Sequence, residues 1–219
     1  MGPSSHSARS GQKAASTRRS YHHGDLRQAL LSAAVDLLAE RGAESLTLRA
    51  VARAAGVSQT APYRHFTDRG ALVGGVAMEA FARMGAAIER AVQKGPPGLP
   101  ALKRGLAAYV RFAHQHPAEY RVMFGAELAG RHDMPELQAA ARGVFSLLSD
   151  GIARLQERGL IGAGDAMLMA ITAWATLHGL VMLSLDGQTA VTGRSIGTLV
   201  EAASGLLLTG MGATRATSR

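Results

Sequence analysis

Thr47-Leu48-Arg49-Ala50-Val51-Ala52-Arg53-Ala54-Ala55-Gly56-Val57-Ser58 reads as a short helix, a glycine turn and a helix cap. Leu48, Val51, Ala52 and Ala55 recur at three- and four-residue spacing and so share one face. Ala52 is small where two crossing helices need close approach. Gly56 frees the backbone for a tight turn, and Val57 can plug the corner. Ser58 is placed to cap a further helix running to about His65. Pro62 removes that helix's bond to the Ser58 carbonyl, so the helix is expected to be short or irregular at its start. It presents Gln59, Thr60, Tyr63, Arg64 and His65, side chains able to bond bases and phosphates. A helix of this size fits the major groove of B-DNA. A small alanine-rich helical pair with a polar outer face would show the same window, and spacing alone does not separate the two.

Outward from this stretch the pattern stays helical, with no strand alternation, internal repeat or heptad to compete. Leu26, Leu30, Ala33, Ala34, Leu37 and Leu38 put one apolar face on a first helix of about Asp25–Arg41, and Gly42 ends it. After the two short helices, a fourth is expected over Asp68–Lys94, stopped by Gly95-Pro96-Pro97-Gly98. A fifth covers Leu99–Gln115, and His116-Pro117 breaks it ahead of a short sixth ending at Phe124. Gly130–Met134 reads as a loop, Pro135–Arg158 as the seventh helix, and Asp165–Leu185 and Gly193–Leu208 as the last two. The expected fold is therefore all-α, about nine helices. Residues 23–67 form a three-helix DNA-binding domain and 68–210 a larger helical ligand-binding and dimerisation domain. Residues 1–22 and 211–219 read as a disordered basic arm and a disordered tail.

The DNA-reading segment resembles the TetR family of bacterial repressors from Leu26 to about Val76. The shared features are Gly42, Thr47, the Val51-Ala52-Ala55-Gly56-Val57-Ser58 run, Tyr63, His65, Phe66 and Leu72. One branch of that family carries an Ala-Pro-Tyr-Arg-His-Phe string, present whole at Ala61–Phe66. The resemblance implies that Thr60, Tyr63 and His65 lie against the groove and backbone, and that Thr47 and Arg69 help clamp phosphate. It implies a homodimer on a palindromic double-stranded DNA operator. The chain departs from the family at Arg69-Gly70, where Lys-Glu is common, so the usual acidic side chain at that helix start is missing. Tyr63 is read as facing DNA and Phe66 as core.

Trp174-Ala175-Thr176-Leu177-His178-Gly179 resembles the Trp-His-Gly hallmark of one C-terminal subclass of the same family. Trp174 and His178, four apart, share a helix face. They either line a pocket between the fifth, seventh and eighth helices or are ordinary core with a hydrogen-bonded histidine. Phe112, Met123, Phe124, Phe145, Met169 and Met182 are available to make such a pocket apolar and adaptable. With few acidic residues in the apolar stretches, a neutral or weakly anionic small-molecule effector is expected. Ile196, Leu199, Val200, Ala203, Leu206 and Leu207 give the last helix an apolar face wide enough for a dimer interface shared with the eighth.

Composition limits the alternatives. Among 219 residues, hydrophobic types make up 47% and charged types 18%, and there is no cysteine. Disulfides, thiolate metal sites and cysteine nucleophiles are excluded. The formal charge is +8, and Arg9, Lys13, Arg18 and Arg19 stand in residues 1–22 with no acidic residue, as phosphate attraction would use. No run of about 18 consecutive apolar residues appears, so no membrane partner is expected, and the N-terminus lacks a signal peptide's apolar centre. A cytoplasmic location fits. No His-Glu-x-x-His pattern, phosphate-binding glycine loop or nucleophile elbow occurs. His65 has no second ligand at metal spacing. No enzyme activity, metal or cofactor is therefore expected, and a helical protein-binding adaptor is the remaining rival to a DNA-binding regulator.

Overall fold

The computed structural model describes residues 23–126, 128 and 134–212. The basic arm, the tail beyond residue 212 and residues 130–133 of the expected loop lie outside the described residues. Eight α-helices follow in order: α1 (His23–Arg41), α2 (Leu48–Ala54), α3 (Arg69–Gln93), α4 (Leu99–Gln115), α5 (Pro117–Met123), α6 (Pro135–Glu157), α7 (Ala166–Leu185) and α8 (Ile196–Gly210). The fold is all-α, as expected. The expected termini fall close to the observed ones because side-chain caps mark them: Thr47 accepts from Ala50 N at the start of α2, Asp165 from Met167 and Leu168 before α7, and Ser195 from Thr198 before α8.

The expected helix over Ser58–His65 is the exception. Its place is taken by turns and a single 3₁₀ turn at Pro62–Arg64. Proline has no N–H to close an i→i−4 bond, so the Ser58 carbonyl accepts from Ala61 instead (3.0 Å). Ser58 caps no backbone group there; its hydroxyl pairs with that of Thr60 (3.2 Å). Eight α-helices and this tight turn replace the nine helices expected.

The glycine corner before it forms as read. Gly56 has φ +68. Its N–H bonds Arg53 O (3.2 Å) while Val57 N–H reaches back to Ala52 O (3.0 Å), the paired bonds of a Schellman motif that satisfy the last carbonyls of α2.

One apolar cluster holds both halves together. It runs from Leu30, Leu38 and Leu46 through Val51, Phe66 and Leu72 on α3 to Leu106, Tyr120 and Leu177. α3 is its axis, with a buried face at Leu72, Val76, Ala80, Met84 and Ile88, one turn apart. Gly75 lets α1 and the turn approach α3: a Cβ there would stand 3.1 Å from both Leu31 Cδ2 and Phe66 Cε1. A smaller cluster of Ile152, Leu155, Ile161, Ala170, Ala173 and Met211 closes the far end. There Met211, expected to begin the tail, packs and its carbonyl accepts from Gly162 N–H (2.7 Å). By length and hydropathy alone α3 and α7 could each cross a membrane. Both instead carry core residues, Ala170, Ala173, Leu177 and Val181 in the case of α7.

The two aromatics of the turn should separate in stability. Phe66 is 3% exposed and Tyr63 53%. Phe66→Ala is expected to cost about 3–5 kcal/mol and Tyr63→Ala no more than about 0.5 kcal/mol, measured as urea midpoints. Similar losses from both would show that Tyr63 also packs.

Candidate DNA-reading turn and ligand cavity

Ser58, Gln59, Thr60, Tyr63 and Arg64 form one exposed polar ridge on the turn. The turn is held from beneath by Phe66, over which the Arg27 guanidinium stands 5.7 Å from the ring centre, and by buried Pro62. Backbone bonds from His65 and Phe66 to Pro62 O, both 2.9 Å, close it. His65 is half-buried, and its Nε2 is buried with no hydrogen-bond partner among the described atoms.

Two expected phosphate contacts have structural partners. The Thr47 hydroxyl accepts from Ala50 N (3.1 Å). Arg69 donates from Nε to Leu46 O (2.8 Å) and from Nη2 to Ala43 O (2.7 Å), pinning the α1–α2 connection to the start of α3. The acidic group expected to be missing from this helix start is supplied one position earlier. Asp68 is the N-cap of α3, accepting from Ala71 N (2.8 Å).

The second feature is a cavity of about 740 Å³ between α3, α4, α6 and α7. Its walls are mainly apolar: Phe81 and Ile88 of α3, Leu102 and Leu106 of α4, Val144, Phe145 and Leu148 of α6, and Ile171 and Leu177 of α7. Of the expected lining, Phe124, Phe145 and Trp174 are present. Phe112, Met123, Met169, His178 and Met182 do not line it. Phe112 and Met123 are core, Met169 and Met182 pack against the two apolar clusters, and His178 stands behind the wall. The α3 side and the α3–α4 loop were not expected, because they reach the cavity only through tertiary packing.

Behind the wall lies a polar cluster. Tyr109, on the cavity surface, bonds the Tyr120 hydroxyl (2.5 Å), and Tyr120 bonds Nδ1 of His178 (2.6 Å). Burial pushes the Tyr109 hydroxyl up to about 12, against the lowering effect of hydrogen bonds with Tyr120 and Trp174. Burial, and then the neighbouring Tyr109, push Tyr120 upward, and burial pulls His178 down. All three are therefore neutral at pH 7. Tyr109 donating to Tyr120, and Tyr120 to Nδ1, uses both hydroxyl hydrogens and leaves the imidazole proton on Nε2. Histidine as a hydrogen-bonded neighbour is thus the arrangement present. The missed partners had a signal: tyrosines on apolar faces need a hydroxyl partner once buried.

The expected dimer face divides. Val200 is buried, Ile196 and Ala203 pack on the main cluster and Leu207 on the smaller one. Leu199 is half-buried, and Leu206 is 76% exposed. Met167, Leu168, Ile171 and Leu183 of α7, not singled out from sequence, are all exposed.

Comparison with known proteins agrees with this architecture. Residues 30–76 match the model for bacterial regulatory proteins of the tetR family, and residues 102–206 match the tetracyclin repressor-like C-terminal domain. A Mycobacterium tuberculosis protein, the uncharacterized HTH-type transcriptional regulator Rv0681, is 30% identical over 161 residues, covering 74% of this chain and 71% of that one. A protein of unknown function from Rhodococcus sp. RHA1 superposes with a TM-score of 0.80 at 35% identity, over 89% of this chain and 99% of its own. FadR from Bacillus subtilis, solved with stearoyl-CoA, shares the fold at a TM-score of 0.69 and 17% identity, over 84% and 98%. This chain belongs to the TetR family of transcriptional regulators. It is a regulator and not an enzyme.

The buried cluster has a measurable pH signature. With the His178 pKa depressed in the folded state, the unfolded chain takes up a proton first as pH falls below about 6.5. Stability is full above that pH and lost below it. His178→Asn keeps an acceptor for Tyr120 and removes the titration, so its urea midpoint should fall less between pH 7.5 and 5. His116, also lowered by burial and by Arg83, contributes to the slope that remains. Equal slopes in both proteins would place the proton uptake elsewhere. Tyr120→Phe should cost about 1–3 kcal/mol at pH 7.5 by stranding buried partners.

Proposed function

We propose that the protein is a cytoplasmic transcriptional repressor that binds a palindromic operator as a homodimer and is released by a small apolar effector. The observation that carries this reading is the sharing of α3, whose first half backs the exposed polar ridge and whose second half walls the cavity. The stearoyl-CoA complex of the Bacillus subtilis neighbour supports an apolar ligand in such a fold. The Trp174-His178-Gly179 motif supports reading the chain as a member of the Trp-His-Gly subclass.

At the DNA, Gln59 and Thr60 read bases, Tyr63 and Arg64 meet the backbone or a guanine, and Ser58, Thr47, His65 and Arg69 hold the ridge against phosphate. The dimer forms through α7 and α8. The outer side of α7 adds Leu168 and Leu183 to the Leu206 of α8, and α7 carries no Asp, Glu, Lys or Arg. Ala175 and Gly179 on the same helix permit close approach of a second copy.

Two measurements check this. Against duplexes bearing single base changes, Gln59→Ala or Thr60→Ala should relax preference at one position per half-site by about 1–3 kcal/mol. Tyr63→Phe should instead weaken all sequences alike. Unchanged binding by all three would move base reading off this turn. In light scattering, Leu168→Arg with Leu206→Arg should give a folded monomer, and a persistent dimer mass would place the interface elsewhere.

A further inference from the structure

The cavity is apolar along its length and charged at its ends. Arg142, Arg154 and Arg158 border it, all on α6 or its cap. Arg142 precedes Arg154 by about three helical turns, roughly 18 Å of axis, so the cavity is a trough that follows α6. Arg142 donates to the Gln138 side chain (3.4 Å). The Arg154 and Arg158 side chains form no hydrogen bond or ion pair with any described residue. Glu157 lies at the same end and pairs with neither. A helix C-terminus favours cations, which accounts for arginines in the last turn of α6 but not for their standing on an apolar trough. Both are exposed, so they mark a place where the trough meets solvent.

The lip beside them is fixed. Arg104 donates to Ala91 O (3.0 Å), Val92 O (2.9 Å) and Pro96 O (2.8 Å), holding the α3–α4 loop whose Pro97 and Gly98 face the trough. A Cβ on Gly98 would lie 3.4 Å from Leu160 Cδ1 and 4.0 Å from Arg158 Nη1. Inside, the Tyr109 hydroxyl already donates its one hydrogen to Tyr120. The cations an acidic head group would meet are therefore at the Arg154–Arg158 and Arg142 ends, and of these only Arg154 and Arg158 carry no partner among the described residues.

We propose that the trough takes a long-chain aliphatic anion, its chain lying along α6 and its carboxylate or phosphate head held by Arg154 and Arg158. The proposal rests on reading this cavity as the effector site. Each buried methylene should strengthen binding roughly fourfold, and each charge-assisted contact about tenfold.

Trp174, the single tryptophan of the chain, lines the cavity and reports occupancy by fluorescence. Full-length protein is titrated with palmitate, palmitoyl-CoA, decanoate, 1-hexadecanol and hexadecyltrimethylammonium at sub-micellar concentrations. Palmitate or palmitoyl-CoA should bind at least tenfold tighter than hexadecanol and the cation, and palmitate tighter than decanoate. Palmitate binding without the thioester assigns a carboxylate head, and the reverse a phosphate-bearing one. Arg154→Gln and Arg158→Gln should each weaken the anion about tenfold and leave hexadecanol unchanged. Arg111→Gln, on the outer side of α4, should change neither. Hexadecanol binding as tightly as both anions, no binding by either anion, or arginine variants that bind like wild type would overturn the proposal. Operator binding measured in parallel keeps the two readings apart. An anion that occupies the trough but leaves DNA bound refutes the effector role, while release by the neutral alcohol alone refutes the anionic ligand.

Discussion

A single helix is shared by the two halves of the molecule. α3 has 25 residues, about 38 Å of continuous backbone, and contains no proline to kink it. Toward its start, Gly75 receives Leu31 and Phe66, and with them α1 and the polar turn. Toward its end, Phe81, Ile88 and Val92 form one wall of the cavity. The core around it is continuous, and close-packed cores do not absorb small displacements softly. Any change in the width of the cavity at Ile88 therefore bears on the same rigid element that sets the pose of the turn.

α5 makes a second link, and a seven-residue helix is too short to stand without its neighbours. Glu119, almost fully buried, pairs with Arg83 of α3. Arg121 reaches Asp186 at the end of α7 (2.6 Å). Tyr120, wholly buried, ties α4 to α7 through Tyr109 and His178. The same short helix packs against α1. Tyr109 is the one member of this cluster that also faces the cavity, so the hydroxyl chain runs from the cavity wall into the short helix that packs against α1.

Local rules made most of the helices readable, because their ends carry caps and breakers: Thr47, Asp68, Asp165, the Gly95–Gly98 stop, and Pro117. The same rules flagged Pro62 as a fault in the third helix but not how far the fault extends. Once the Ser58 carbonyl loses its donor, the three-residue bond from Ala61 takes over and the helix never propagates. Sorting Phe66 inward and Tyr63 outward followed from the pattern around the turn. The cavity was half readable. Phe145 and Trp174 lie on periodic apolar faces, whereas Pro97 and Gly98 enter through contacts between distant segments that no local pattern encodes. A basic side chain at a helix start reads as a phosphate clamp; that two of Arg69's donors also hold backbone carbonyls of the preceding segment is a tertiary contact that no local pattern encodes.

The composition of α7 follows from having two apolar sides. Its inner side, Ala170, Ala173, Leu177 and Val181, is buried in the chain's own core. Its outer side keeps Leu168 and Leu183 in contact with solvent in the single chain. A helix obliged to be apolar on both sides loses the amphipathic stripe of an ordinary surface helix, and it acquires the hydropathy of a membrane span without being one. A membrane-facing helix would have no need of the inner Ala170 and Ala173, whose small side chains let α6 and Met211 at the end of α8 close around them. Nor would it need Tyr120 held against its His178. The inner face is built for a protein core, and the outer face, apolar and uncharged, is left to a surface of similar chemistry.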